Sequence, residues 1–153
     1  MVAAGRTARA DEDARTTHQQ FRRHSVDAIT ITFVTRTGHY DFLVAYVSNP
    51  GTPDSALIAR RQVQRDEGIL YVNDYVRPIA ISNQGVQFPT DLFFIAKDGR
   101  VLEVHPNIMA NDSQTIVSGS PVKAALQVIG GTAMRISAIP GDHLLSQIFG
   151  RTL

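Results

Sequence analysis

Histidines, carboxylates and hydroxyls decide first what chemistry this chain could perform. Nucleophilic hydrolysis requires a nucleophile, a base within hydrogen-bond reach and a third group that orients the base. The histidines are His18 and His24 near the N-terminus, His39 in a turn, His105 at a strand end and His143 beside Asp142. Consecutive strand residues point to opposite faces, so Asp142-His143 reads as a turn and not as an oriented pair. No catalytic residue is assigned, and the expectation is a protein that is not an enzyme, with a hydrolase as the third-ranked reading. The chain has no Cys, no His-x-His or His-x-x-x-His and no carboxylate cluster, so neither a metal nor a cofactor is expected. Gly130-Gly131-Thr132 lacks the Lys-Ser/Thr ending of a phosphate loop and reads as a helix start capped by Thr132.

Asp91 is the polar residue of most interest. It follows Pro89 at the mouth of an apolar strand, where an ionised carboxylate must be hydrogen-bonded or face solvent. The first reading is a carboxylate that accepts backbone N–H groups of a neighbouring loop. The second is a ligand-orienting group in a small-ligand or carbohydrate site with Asn107, Asn83 and Gln84, which requires a concave, partly apolar pocket beside them. Arg60, Arg61 and Arg65 fall on one predicted helix and present a face for an acidic partner, with a solvated face as the plain alternative.

The elements that position these groups are short and mostly β. Ile29, Ile31 and Phe33 alternate with threonines before Thr35-Arg36-Thr37-Gly38, and Tyr40 to Val47 repeats the pattern, which reads as a hairpin. Thr52-Pro53 predicts the cap and first position of a helix over Ser55 to Gln64. Ile69 to Val72 reads as a buried strand, with Asn73-Asp74 starting a turn towards Arg77-Pro78-Ile79. Phe88 to Ala96 and Val101 to His105 flank Lys97-Asp98-Gly99-Arg100, and an Asp-Gly pair in that frame is a strong hairpin signal. Ala124 to Ile129 is a further strand, stopped by Gly130-Gly131, and Thr132 to Ile136 supplies one or two helical turns. The fold class expected is mainly β, a compact β-sandwich or jelly-roll-like barrel with one or two short helices.

A chain of 153 residues fits one domain. Residues 25–148 are read as that domain, 1–24 as a polar N-terminal arm and 149–153 as a C-terminal tail. The arm carries Arg6, Arg9, Arg15, Arg22 and Arg23 around Asp11, Glu12 and Asp13 and has too few apolar groups to fold alone. A solvated tail is the plain reading, and the sharper one is an arm that docks on a protein partner. A net charge of +1 provides no field for nucleic acid, and no apolar run is long enough to span a bilayer. The absence of a secretory signal at Met1 to Ala10 points to the cytoplasm.

The order of elements resembles the uncharacterised family known as domain of unknown function 192, over roughly Tyr40 to Leu145. The resemblance rests on Asp66-Glu67-Gly68-Ile69-Leu70-Tyr71-Val72, on Pro89-Thr90-Asp91-Leu92-Phe93-Phe94-Ile95 with Asp98-Gly99-Arg100-Val101-Leu102-Glu103-Val104 and Asn107, and on Gly131-Thr132-Ala133 through Pro140-Gly141-Asp142-His143-Leu144. It implies a jelly-roll type of β-sandwich and brings no activity. Relatives carry Phe-Trp-Met-Lys-Asn-Thr before the Pro-x-Asp segment, where this chain has Ile81-Ser82-Asn83-Gln84-Gly85-Val86, and the family's Arg-Gly-Leu-Met stretch is missing. The resulting expectation is a non-catalytic interaction or accessory subunit of a larger assembly, with the ligand-binding module as the alternative.

Overall fold

The computed structural model describes residues 28–150, so the arm residues Arg6, Arg9, Arg15, Arg22 and Arg23 lie outside the described residues. Nine strands form in chain order: β1 (Ala28–Thr35), β2 (Gly38–Ser48), β3 (Glu67–Arg77), β4 (Ala80–Ser82), β5 (Thr90–Ile95), β6 (Val101–Ile108), β7 (Thr115–Val117), β8 (Val122–Ile129) and β9 (His143–Leu145). Helix α1 spans Thr132–Ile136, and a 3-10 turn covers Gln147–Phe149. The mainly β expectation with short helices holds.

Seven strands make one mixed sheet in the order β6-β5-β8-β3-β2-β1-β9, and β4 and β7 make a separate two-stranded ribbon. The β1–β2 hairpin turns at Arg36-Thr37, between paired Thr35 and Gly38, and the β5–β6 hairpin turns at Asp98-Gly99, a pair suited to a tight turn. β2 and β3 are parallel, with Leu43 opposite Glu67 and Ser48 opposite Val72.

Side-chain alternation sends residues to both faces of the sheet, and both faces are covered. One core takes Phe33, Phe42, Leu70, Phe93 and Leu126 and is closed by Ala133 and Ile136 of α1 and by Phe149. The other takes Leu43, Ile69, Tyr71, Leu92 and Phe94 and is closed by Leu57, Val63, Val86 and Ile81. Phe149, placed in the tail by the sequence, is thus a core residue. Double coverage explains why β5 is buried along its whole length.

The sheet curls around the first core. β1 and β5 lie four strand positions apart, which is about 19 Å in a flat sheet. Yet the rings of Phe33 and Phe93 are 5.0 Å apart. At one end the two edges meet: Arg100 bridges His143, the Val101 amide donates to Asp142 O at 2.7 Å, and the Leu144 amide donates to Gly99 O at 2.8 Å. Gly99 has φ 91°, and a Cβ there would lie 2.5 Å from Leu144 O, so both the turn and the closure require glycine.

Three local expectations are corrected. Asn73-Asp74 starts no turn, because β3 runs through it to Arg77 with an irregularity in its pairing to β8 after Val72. No helix forms over Ser55 to Gln64, which is a run of turns and bends. Its amides are taken by side chains: Ala56 N donates to the Tyr71 hydroxyl at 2.9 Å and Leu57 N to Ser55 Oγ at 3.0 Å. The remaining bonds are three-residue turns, such as Arg60 N to Leu57 O. Thr132 does not cap α1. Gly131 occupies the cap position in the left-handed region, while the Thr132 hydroxyl donates back to Ile129 O at 2.6 Å.

Candidate functional site

Asp91 is the second residue of β5 and is fully buried. Its Oδ1 accepts from the Asn107 amide at 2.7 Å and the Gly131 amide at 3.3 Å, and its Oδ2 accepts from the Ala133 amide at 2.7 Å. A single carboxylate therefore fastens β6 and the first turn of α1 to β5. Asn107 presents its amide from a left-handed conformation, φ 54°, which Asn tolerates better than most residues. The first reading of Asp91, an acceptor of loop N–H groups, is what the geometry shows.

Asn83 is also buried, and its bonds point inward. Its Nδ2 donates to the carbonyls of Phe88, Ile108 and Met109, the last at 2.8 Å. Its Oδ1 accepts from Thr90 Oγ1 at 3.1 Å and Gln127 Nε2 at 3.3 Å. Gln127 Oε1 in turn accepts from Ser55 Oγ at 2.7 Å and the Tyr71 hydroxyl at 2.8 Å. The result is a polar chain through the second core, from the 55 loop to the 83 and 109 loops, with its donors and acceptors matched as buried polar groups require. Burial pushes the Tyr71 hydroxyl up to about 12, against smaller opposing effects of Ser55 and Ala56.

The four predicted ligand residues are thus divided. Asp91 and Asn107 bond each other, and Asn83 joins them through Thr90, the neighbour of Asp91 in β5. Gln84 is exposed, and its amide donates to Ser82 Oγ at 3.1 Å. Gln127, Tyr71, Ser55 and Thr90 escaped the sequence reading. A usable signal was present in Gln127, a lone amide inside the apolar run Ala124 to Ile129.

Of the histidines, His105 lies inside β6 and not at its end, with its ring edge on Phe94 and Nε2 3.0 Å from Glu103 Oε1. Glu103 Oε2 accepts from the Gly119 amide at 2.7 Å. No hydroxyl joins this pair among the described residues, so a nucleophile and a base do not meet there. Asp142 Oδ2 accepts from the Ile139 amide at 2.8 Å, the local turn expected of it. Among the described residues no group of three or more His, Cys, Asp or Glu is placed to hold a metal, and no helix is long and apolar enough to cross a membrane. Without the predicted helix, Arg60 and Arg61 separate. Arg60 is half-buried; desolvation lowers its pKa and the Glu67 carboxylate partly opposes that, while Arg61 is exposed.

The described residues define a mainly β half-barrel whose inward polar groups serve the fold. The sequence matches the family of uncharacterised proteins DUF192 over residues 32–146, and the chain belongs to that family. Among solved structures it is similar to a "putative transcription regulator" from Sinorhizobium meliloti 1021, at 28% identity and a TM-score of 0.74, covering 80% of this chain and 95% of that one. It is also similar in fold to a protein of unknown function from Novosphingobium aromaticivorans DSM 12444, at 20% identity and a TM-score of 0.68, covering 78% and 85%. No curated protein matches.

Proposed function

We propose that this protein is a non-catalytic interaction module, an accessory subunit held in a larger assembly by protein contacts. The observation that carries the reading is a division of labour between inside and outside. Asp91, Asn83 and Gln127 spend their hydrogen bonds within the fold. Meanwhile Ile58, Tyr75, Val76, Met109 and Val117 are exposed on the segments that cover the second core or adjoin them. Tyr75 is 84% exposed and sits where the β3–β8 ladder shifts register between Val72 and Arg77. Asn73 Nδ2 donates to Arg77 O and Val122 O, and the Asp74 amide donates to Asn49 Oδ1 at 2.9 Å, so the backbone on either side of Tyr75 is anchored. An exposed aromatic side chain on an anchored backbone is a frequent anchor of interfaces.

In this reading residues 1–24 form a second contact through Arg6, Arg9, Arg15, Arg22 and Arg23, with exposed Arg61 available on the domain. The ribbon over the second core is read as the second layer of a jelly-roll type of sandwich. That a similar protein is described as a regulator, and not by a reaction, supports a role in contacts. The test is the native mass of the protein at its natural level in its own cells, for the full chain and for a chain lacking residues 1–24. An assembly larger than the protein's own oligomer, lost or reduced on deletion, is expected. A full chain that runs free overturns the reading.

A further inference from the structure

β7 is bonded on one side only. It pairs with β4 as Ala80 with Val117, Ile81 with Ile116 and Ser82 with Thr115. The Ser118 amide donates to Ile79 O at 2.9 Å, which makes 79 and 118 a hydrogen-bonded pair. In an antiparallel ladder such pairs alternate, so Ile116 faces β4 while Thr115 and Val117 turn their N–H and C=O groups away from it. The Ser82 amide confirms that phase, because it donates to Pro53 O on the side opposite β7. Among the described residues nothing bonds to the outward groups of Thr115 and Val117, and both residues are exposed, Val117 by 55%.

Free strand edges are normally defended by charge, proline, bulges or covering elements. The other edges of this fold follow that rule. β6 carries Glu103 and Pro106, and its pairing with β5 shifts register twice. β9 meets Arg100 at the closure. β7 is defended only by its length of three residues: Ser113 to Val122 is uncharged, Pro121 lies beyond the strand, and among the described residues nothing bonds to its outer edge.

We propose that the outer edge of β7 pairs with the β7 edge of a second copy of this chain, about a twofold axis at Ile116. This rests on the interaction-module reading and names the partner at one of its surfaces. The occupant follows from register. Outward groups at Thr115 and Val117 complement themselves when antiparallel, because Thr115 of one copy then faces Val117 of the other and four backbone hydrogen bonds form with identical donors and acceptors on both sides. No like charges meet across the pair. Two ribbons become one four-stranded antiparallel sheet, and the exposed Val117 side chain gains a cross-strand neighbour.

Sedimentation velocity of the full chain, from low micromolar to several hundred micromolar, tests the proposal together with hydrogen exchange of the Thr115 and Val117 amides. The expected result is a concentration-dependent dimer in which both amides slow as the dimer fills. Val117→Pro removes two of the four intermolecular bonds but no bond to β4, and it weakens dimerisation by roughly thirtyfold. Thr115→Lys, which charges the edge without touching the backbone, weakens it as well, and Met134→Ser on exposed helix surface leaves it unchanged. A chain that stays monomeric throughout overturns the proposal, as does a dimer that ignores both edge substitutions or leaves the two amides fast. A chain that is monomeric in vitro yet held in a large assembly in its cells loses this pairing and keeps the interaction-module reading.

Discussion

Replacing Asp91 by Ala removes the one acceptor shared by three backbone amides. Two of its bonds are 2.7 Å long, to Asn107 and Ala133, and the third, to Gly131, is 3.3 Å. Hydrogen bonds to a charged group contribute about 1.5–3 kcal/mol each, so the two short bonds account for about 3–6 kcal/mol and the long one for less. Whole domains are stable by only about 5–15 kcal/mol, so the variant should lose a large fraction of its stability. At about 3–5 °C per kcal/mol for a domain of this size, the melting temperature falls by roughly 10–30 °C. Asp91→Asn keeps one acceptor oxygen but sets an NH2 group against one of the amides, and it should fall between wild type and Ala. Urea denaturation followed by circular dichroism, with melting curves of the same samples, measures both. If Asp91→Ala unfolds within about 1 kcal/mol of wild type, the carboxylate does not organise β5, β6 and α1, and its burial needs another cause such as a bound ligand.

Three further outcomes follow from the same geometry. Gly68→Ala places a Cβ 2.7 Å from Gln127 O and 2.8 Å from Val128 Cγ1, so it should cost about 1–3 kcal/mol in urea denaturation, through forced separation of β3 and β8. Tyr71→Phe leaves the Ala56 amide without its acceptor and should cost about 1–2 kcal/mol at neutral pH. Because the folded Tyr71 hydroxyl is pushed up to about 12 while the unfolded one ionises near its ordinary value of 10.0, the unfolded state sheds that proton first as pH rises. Wild-type stability should therefore decline between those two pH values more steeply than that of Tyr71→Phe, and parallel curves would contradict the burial argument. Glu103→Ala removes the acceptor of the Gly119 amide and should speed hydrogen exchange at Gly119 with little change in melting temperature, since the bond is exposed.

The parts of the fold legible in the sequence are those set by local chemistry. Alternation and short apolar runs located β1, β2, β3, β5, β6 and β8 but not the three-residue β4, β7 and β9; Asp98-Gly99 located a hairpin, and Pro89-Thr90-Asp91 identified a carboxylate that needed amides. The helix expected over Ser55 to Gln64 failed because its amides bond to Tyr71 and Ser55, and Tyr71 reaches that segment only once β3 has formed. The parallel pairing of β2 with β3 was invisible for a related reason: periodicity reports which residues share a face, not which strand lies beside it. Most of the polar chain through Gln127 escaped because its partners come from Ser55, Tyr71 and Asn83, far apart in the chain. Asn83 was picked out as a candidate ligand residue, yet its burial came from the loops that close over it.

The closure between β9 and the two ends of the sheet also bears on how the protein is made. β1 is translated well before β9, the strand that edges it through Phe33 opposite Leu144. A ribosome-bound chain can build the central strands, but the seam at Arg100 and His143 stays open until β9 has been made. Until then Phe33 and Phe93 lack their lid of Leu144 and Phe149, so the nascent chain carries an apolar trough that nothing of its own yet covers. Premature termination anywhere before His143 should yield an aggregating product, not a smaller stable domain.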